Sequence, residues 1–222
     1  MRGTLRILLL GPPGAGKGTQ AARLAASARI AHVATGDMFR QAVAAGSDLG
    51  ARVRDVMERG ALVPDDLTVA VVRQRLGAGD CGPGFVLDGF PRTLPQAEAL
   101  DGLLAEIERP LDAAIALEVP DAVVLRRLAG RRVCPRCGAT YHVDTDPPGE
   151  GGVCRRCGEV VAQRGDDQEE TQRRRLEVYQ RDTAPLLGYY AAQGRLVAVG
   201  GDGPVDVVAG AVLRAALGRQ GR

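Results

Sequence analysis

Residues Leu8–Ala25 read LLLGPPGAGKGTQAARLA: an apolar run breaks into a glycine-rich turn and continues as an alanine-rich segment. The run Ile7–Leu10 is of strand length, and a helix is expected from about Lys17. A strand, a turn and a helix in that order bring backbone N–H groups and a helix N-terminus to one point, which is a cradle for a phosphate. A plain Gly-Pro turn accounts for Gly11–Gly14 but leaves Gly16-Lys17-Gly18-Thr19 unexplained. Gly14, Ala15, Gly16, Lys17, Gly18 and Thr19 are therefore candidate phosphate binders. The stretch departs from the usual P-loop pattern in one respect. Gly18 stands where a Ser or Thr ligates magnesium, and the hydroxyl comes one residue later, at Thr19.

Composition supports the weight placed on this stretch. Of 29 basic residues in the 222-residue chain, every one except Lys17 is arginine. A coding bias explains the arginines; the surviving lysine then marks a place that needs a compact point charge rather than a planar fork. The net charge of +2 gives no global field for nucleic acid or an anionic membrane. No signal peptide or membrane-spanning run is visible. A chain of this length can bury a sizeable core and is expected to form one domain with insertions.

Four of the five cysteines form two C-x-x-C knuckles, Cys134/Cys137 and Cys154/Cys157, sixteen residues apart. That is zinc-ribbon spacing, and four thiolates close a tetrahedral shell, so the site reads as structural. A reducing cytoplasm fits better than disulfides. Arg136, Arg155 and Arg156 are expected to face the negative thiolate cluster. Cys81, alone beside Gly-Pro-Gly, reads as a packed thiol.

Strand-like runs at Ile7–Leu10, His32–Ala34, Gly84–Leu87, Ala113–Val119 and Arg195–Val199 alternate with helix-like segments, predicting an α/β doubly wound parallel sheet. Gly36-Asp37 and Asp121 are expected to cap helices, the latter with Val124, Leu125 and Leu128 facing inward. Asp166 and Asp167 are expected to start a helix carrying Arg173–Arg175. Arg127 and Arg131, four apart, are expected to share a helical face where an anion relieves their repulsion. Arg2, Arg29, Arg59 and Arg219 read as surface charges, and the tail Gly218–Arg222 as frayed. Asp88 ends a buried strand, the usual place for a carboxylate facing a ligand.

Read as a whole, the chain resembles the nucleoside monophosphate kinases. GPPGAGKGT is followed by ATGDMFR (Ala34–Arg40) and LDGFPRTLPQ (Leu87–Gln96), which look like that family's acceptor segments. GRRVCPRCGATYHV, RGDDQEETQRRRL and TAPLLGYY are similar to the lid and closing helix of long-form adenylate kinases. The resemblance implies a P-loop three-layer fold with a five-stranded parallel sheet, a helical insertion at 34–63, a zinc-ribbon lid at 131–167, and a core of 1–33, 64–130 and 168–222. It also implies reversible phosphoryl transfer, ATP + AMP ⇌ 2 ADP, by a cytoplasmic monomer with no nucleic-acid or membrane partner.

The same resemblance distributes roles. Lys17, Asp88, Arg92, Arg131, Arg164 and Arg175 would be catalytic. Arg127, Arg131, Thr140 and Tyr141 would join the cradle in binding ATP. Thr35, Arg40, Val63, Gly89, Arg92, Gln96, Arg164 and Arg175 would bind AMP, with Thr35, Gln96 and the Val63 carbonyl reading the base. Zinc would sit on Cys134, Cys137, Cys154 and Cys157, supported by the apolar Val133, Tyr141, Val143 and Val153. Magnesium would travel with ATP, its waters oriented by Asp88. Gly165 would be a hinge for the lid. Two alternatives stay open: a kinase for another base, and a zinc-ribbon RNA-binding protein using its P-loop as a switch. A basic ribbon face with interleaved aromatics would favour the latter, but Tyr141 is the lone aromatic between the knuckles.

Overall fold

The computed structural model describes residues 4–218. The expectations for Arg2, Arg219 and the tail beyond Gly218 lie outside these, as does the side chain of Asp166. Five parallel strands form the central sheet: β1 (Leu5–Leu10), β2 (Ala31–Ala34), β3 (Gly84–Asp88), β4 (Ala113–Glu118) and a last strand, Leu196–Gly200. Their order is β2-β3-β1-β4-last. Strands buried on both faces need no polar alternation, so each reads as a continuous apolar run. Period two sorts their side chains between the layers. Leu8, Leu10, Leu87 and Ala116 enter one core; Ile7, Leu9, Val86 and Ile115 enter the other.

Helices α1 (Lys17–Ala28), α2 (Thr35–Ala44), α3 (Asp48–Glu58), α4 (Asp65–Leu76), α5 (Leu94–Glu106) and α6 (Asp121–Gly130) follow the first four strands. The short strands β5 (Arg131–Val133) and β6 (Thr140–His142) pair antiparallel; α7 (Glu169–Val178), α8 (Pro185–Ala192), β7 (Leu196–Gly200) and α9 (Val205–Leu217) complete the chain. Helices α2 and α3 share a small core of Phe39, Val53 and Val63. The β5–β6 hairpin has only Cys134, Tyr141 and Cys154 buried at its centre.

Several local expectations need correction. Ala34 and Pro120, not Asp37 and Asp121, occupy the N-cap positions of α2 and α6, and both aspartates lie in the first turn instead. Leu125 is 41% exposed, while Val124 and Leu128 are buried. Arg127 and Arg131 do not share a helical face. Helix α6 stops at Gly130, where any side chain would run into the His142 ring, and Arg131 is already extended in β5. Gly165–Asp167 forms a separate 3-10 turn, and α7 begins only at Glu169. A Cβ on Gly165 would meet nothing within 4 Å, so the right-handed turn does not require glycine there.

Candidate active site and metal centre

The carboxyl ends of β1 and β3 lie side by side, Leu9 in register with Asp88, and the glycine loop rises from β1 directly above them. Gly16, at φ 93°, occupies the left-handed region that lets the loop turn into α1. No side chain caps α1, so its opening N–H groups face the loop. Lys17 curls back over that loop, its Nζ donating to the carbonyls of Gly11 (2.7 Å) and Pro12 (2.9 Å). Burial lowers its pKa to about 8, Asp88 opposing the shift and Arg92, Arg175 and Arg131 reinforcing it. Such a poorly solvated ammonium gains most from an anion placed beside it.

Asp88 explains the odd glycine of the motif. A Cβ on Gly18 would stand 3.3 Å from the Asp88 carboxylate, so a side chain there would crowd it. Burial works against ionisation of Asp88, but the imidazole of His32, 3.6 Å away, and the Lys17 ammonium outweigh it and hold the carboxyl below its ordinary range. His32 had no signal in the sequence beyond its place in a strand.

Two adjoining clefts open at this end of the sheet, spanning about 560 and 510 Å³ with the open solvent at their mouths included. Lys17 and Gly11 line the smaller; Thr35, Arg40, Val63 and Gln96 line the larger. Gly89, Arg92 and Arg175 line both. Arg92 is tied down from two sides, its Nε donating to the Gly89 carbonyl (2.8 Å) and its own carbonyl accepting from Thr183 Oγ1 (2.8 Å). Thr183 lies in a π-helical turn, Tyr179–Thr183, the kind of widened turn often found at functional sites. Arg127, Arg131, Thr140, Tyr141 and Arg164 line neither cavity.

Two carboxylates expected only at helix starts, Asp37 and Asp167, organise these arginines. Asp37 pairs with Arg40 (2.5 Å) and Arg164 (3.8 Å). Asp167, with a fully buried side chain, takes Arg131 through two hydrogen bonds and Arg175 at 3.8 Å. Four cations from both ends of the chain are thus gathered by two anions. Arg127 instead donates to the carbonyls of Gly201 (2.8 Å) and Ala15 (3.4 Å), which fixes it against the glycine loop, and burial lowers its pKa.

In the larger cavity, Thr35 Oγ1 donates to the Gly89 carbonyl at 2.9 Å, and the Val63 carbonyl accepts from Thr68 at 3.3 Å. Gln96 is buried at 2% exposure. Its Oε1 accepts from the Arg92 N–H (2.8 Å), and its Nε2 donates to Asp65 (2.6 Å).

The four cysteine Sγ atoms lie within 4.8 Å of one another, and could hold a metal ion. The cross-knuckle pairs Cys134/Cys157 and Cys137/Cys154 stand at 3.5 Å. That excludes a disulfide and approaches the ~3.8 Å edge of a tetrahedron with 2.3 Å metal–sulfur bonds. Each knuckle closes the same way, Gly138 N–H on the Cys134 carbonyl and Gly158 N–H on that of Cys154. Arg156 N–H points at Cys154 Sγ (3.4 Å). The side chains of Arg136 and Arg155 pair with Glu159 and Asp146 rather than facing the sulfurs. Tyr141 is committed to this cluster, its hydroxyl on Cys154 Sγ (3.2 Å) and accepting from Arg155 N–H (2.9 Å). Val143 is 43% exposed and adds nothing to the centre. Among the described residues no helix is long and apolar enough to cross a membrane.

A model of the family described as adenylate kinase matches residues 9–195. The chain is 52% identical over 204 residues to the adenylate kinase of Symbiobacterium thermophilum, covering 92% of this chain and 94% of that one. It is 50% identical over 215 residues to that of Moorella thermoacetica, covering 97% and 99%. With that of Desulfitobacterium hafniense it shares 50% over 198 residues, covering 89% and 91%. A phosphate loop, two cavities joined by shared arginines, and relatives that match almost end to end converge on one conclusion: the chain belongs to the adenylate kinase family.

Proposed function

We propose that this protein transfers the terminal phosphoryl group of ATP to AMP, giving two ADP, and so balances the adenine nucleotides. The observation that carries this reading is the pair of adjoining cavities with Arg92 and Arg175 in the shared wall. One cavity ends at the glycine loop and Lys17, the other at Thr35, Val63 and Gln96. A donor phosphate held at the first and an acceptor phosphate at the second would meet between those arginines.

The acceptor phosphate is itself the nucleophile, so the chain's task is positioning and charge neutralisation rather than proton transfer. Lys17 and the N–H groups of α1 hold the donor phosphates. Arg92 and Arg175 hold both reacting groups in line, with Arg40 and Arg164 on the acceptor side and Arg131 on the donor side. Asp37, half exposed, would release Arg40 and Arg164 as phosphates replace its carboxylate, while the buried Asp167 keeps Arg131 and Arg175 in position. Magnesium bound to ATP would supply further neutralisation; with no hydroxyl at position 18, Asp88, kept ionised, would hold its waters.

The segments 34–63 and 131–167 are read as the acceptor arm and the lid, on a core of 1–33, 64–130 and 168–222. The thiol-only donor set supports zinc in the lid, as a structural cross-link. A cytoplasmic monomer with no nucleic-acid partner fits the four thiols gathered at metal-binding distance and the balanced charge. A coupled assay for ADP with ATP and each of four monophosphates tests the substrate reading. AMP should be turned over strongly, and GMP, CMP and UMP at least about a hundredfold less efficiently; comparable rates with any of the three would overturn it.

A further inference from the structure

We infer that Asp65 is a positioning residue for base choice: it locks the Gln96 amide in the orientation that accepts adenine and rejects a 6-oxopurine. This rests on the reading of the larger cavity as the AMP site. A glutamine amide is ambivalent. Its oxygen accepts and its nitrogen donates, so one orientation complements adenine, which offers a ring-nitrogen acceptor beside an amino donor. The flipped orientation complements hypoxanthine or guanine, which offers a ring N–H beside a carbonyl oxygen. A glutamine in the wall cannot by itself choose between them.

The structure makes the choice with two groups that cannot exchange roles. The backbone N–H of Arg92 can only donate, and it meets Gln96 Oε1 at 2.8 Å. The carboxylate of Asp65 can only accept, and its Oδ1 meets Gln96 Nε2 at 2.6 Å. Flipping the amide would set donor against donor and acceptor against acceptor at a site 2% exposed, where water cannot repair the mismatch.

Asp65 is itself held. Its Oδ2 accepts from Thr93 Oγ1 (2.9 Å), and the same hydroxyl accepts the backbone N–H of Gln96 (3.3 Å). Thr93 caps α5 and Asp65 opens α4, so the two helix starts clamp one side chain. One N–H of Nε2 and one lone pair of Oε1 remain for the base; in the pose that sets Nε2 against the ring nitrogen and Oε1 against the 6-substituent, they suit adenine and not a 6-oxopurine.

The experiment compares kcat/KM for AMP and for IMP, which presents the 6-oxopurine edge without the extra amino group of GMP. Asp65→Ala should lower the AMP-to-IMP ratio at least about tenfold, mainly through KM, while KM for ATP stays as in the unmutated protein. Asp65→Asn, whose amide oxygen still accepts from Gln96, should keep the ratio within about threefold. An unchanged ratio in Asp65→Ala would overturn the inference while leaving the AMP reading intact. An unmutated protein that already uses IMP as well as AMP would instead overturn that reading. If Asp65→Ala does not fold, nuclear magnetic resonance of the unmutated protein decides. The Gln96 Nε2 proton facing Asp65 should exchange with water far more slowly than the side-chain amides of exposed glutamines, and exchange at their rate would refute the lock.

Discussion

At the scale of single residues, Lys17 combines two properties that normally exclude each other, a formal charge and a poorly hydrated position. Its Nζ reaches two loop carbonyls at 2.7 and 2.9 Å, a geometry that a broad guanidinium fork cannot enter. Lys17→Arg should fold normally and lose on the order of a hundredfold or more in turnover, about 3 kcal/mol of transition-state stabilisation. Near-normal turnover would reduce the lone lysine to an accident of composition. Burial lowers the folded pKa to about 8 from an ordinary 10.5. Between these values the unfolded chain binds the proton that the fold has released, so Lys17 makes stability rise with pH across that window. Phosphate binding runs the other way, because it needs the ammonium. Affinity for ATP should fall as pH climbs past about 8, and Lys17→Met should abolish that limb of the profile.

The secondary-structure elements divide into those the sequence declares and those it conceals. Parallel strands buried on both faces announce themselves as apolar runs, and all five fall within two residues of their expected bounds. Helix starts were less legible. Asp37 and Asp121 look like caps, but the chain reaches each helix one or more residues earlier, and Asp37 is drawn instead toward Arg40 and Arg164. The organising acids were not legible at all. Asp65, 31 positions from Gln96, and Asp167, 36 positions from Arg131, gain their roles only when separate elements meet; no local pattern encodes that. Asp167 supports a prediction at this scale. Its fully buried carboxylate joins β5 to α7 through Arg131 and Arg175. Removing one member of a buried ion network strands the others, so Asp167→Ala should cost about 3–5 kcal/mol of stability by denaturant titration. A change within experimental error would mean that these arginines are solvated rather than held.

For the whole molecule, stability is unevenly distributed. The sheet carries two extensive apolar layers, whereas the β5–β6 region buries little besides Tyr141 and two of its own cysteines. A small β insertion with so little core depends on its cross-link, and thiolate zinc sites supply roughly 10–16 kcal/mol of apparent binding free energy at neutral pH. The purified protein should contain one metal ion per chain. Cys154→Ser, or treatment with a strong chelator, should melt this region ahead of the core in calorimetry and weaken ATP binding more than AMP binding. A metal-free protein with the same melting profile would show that the four thiols hold nothing. The catalytic claim joins both cavities into one machine, and phosphorus magnetic resonance of equimolar ATP and AMP with magnesium measures it most directly. The AMP signal and the terminal phosphate of ATP should decay together, with two ADP formed for each pair consumed and no free phosphate. Release of orthophosphate, or an AMP signal that stays constant while ATP disappears, would contradict it.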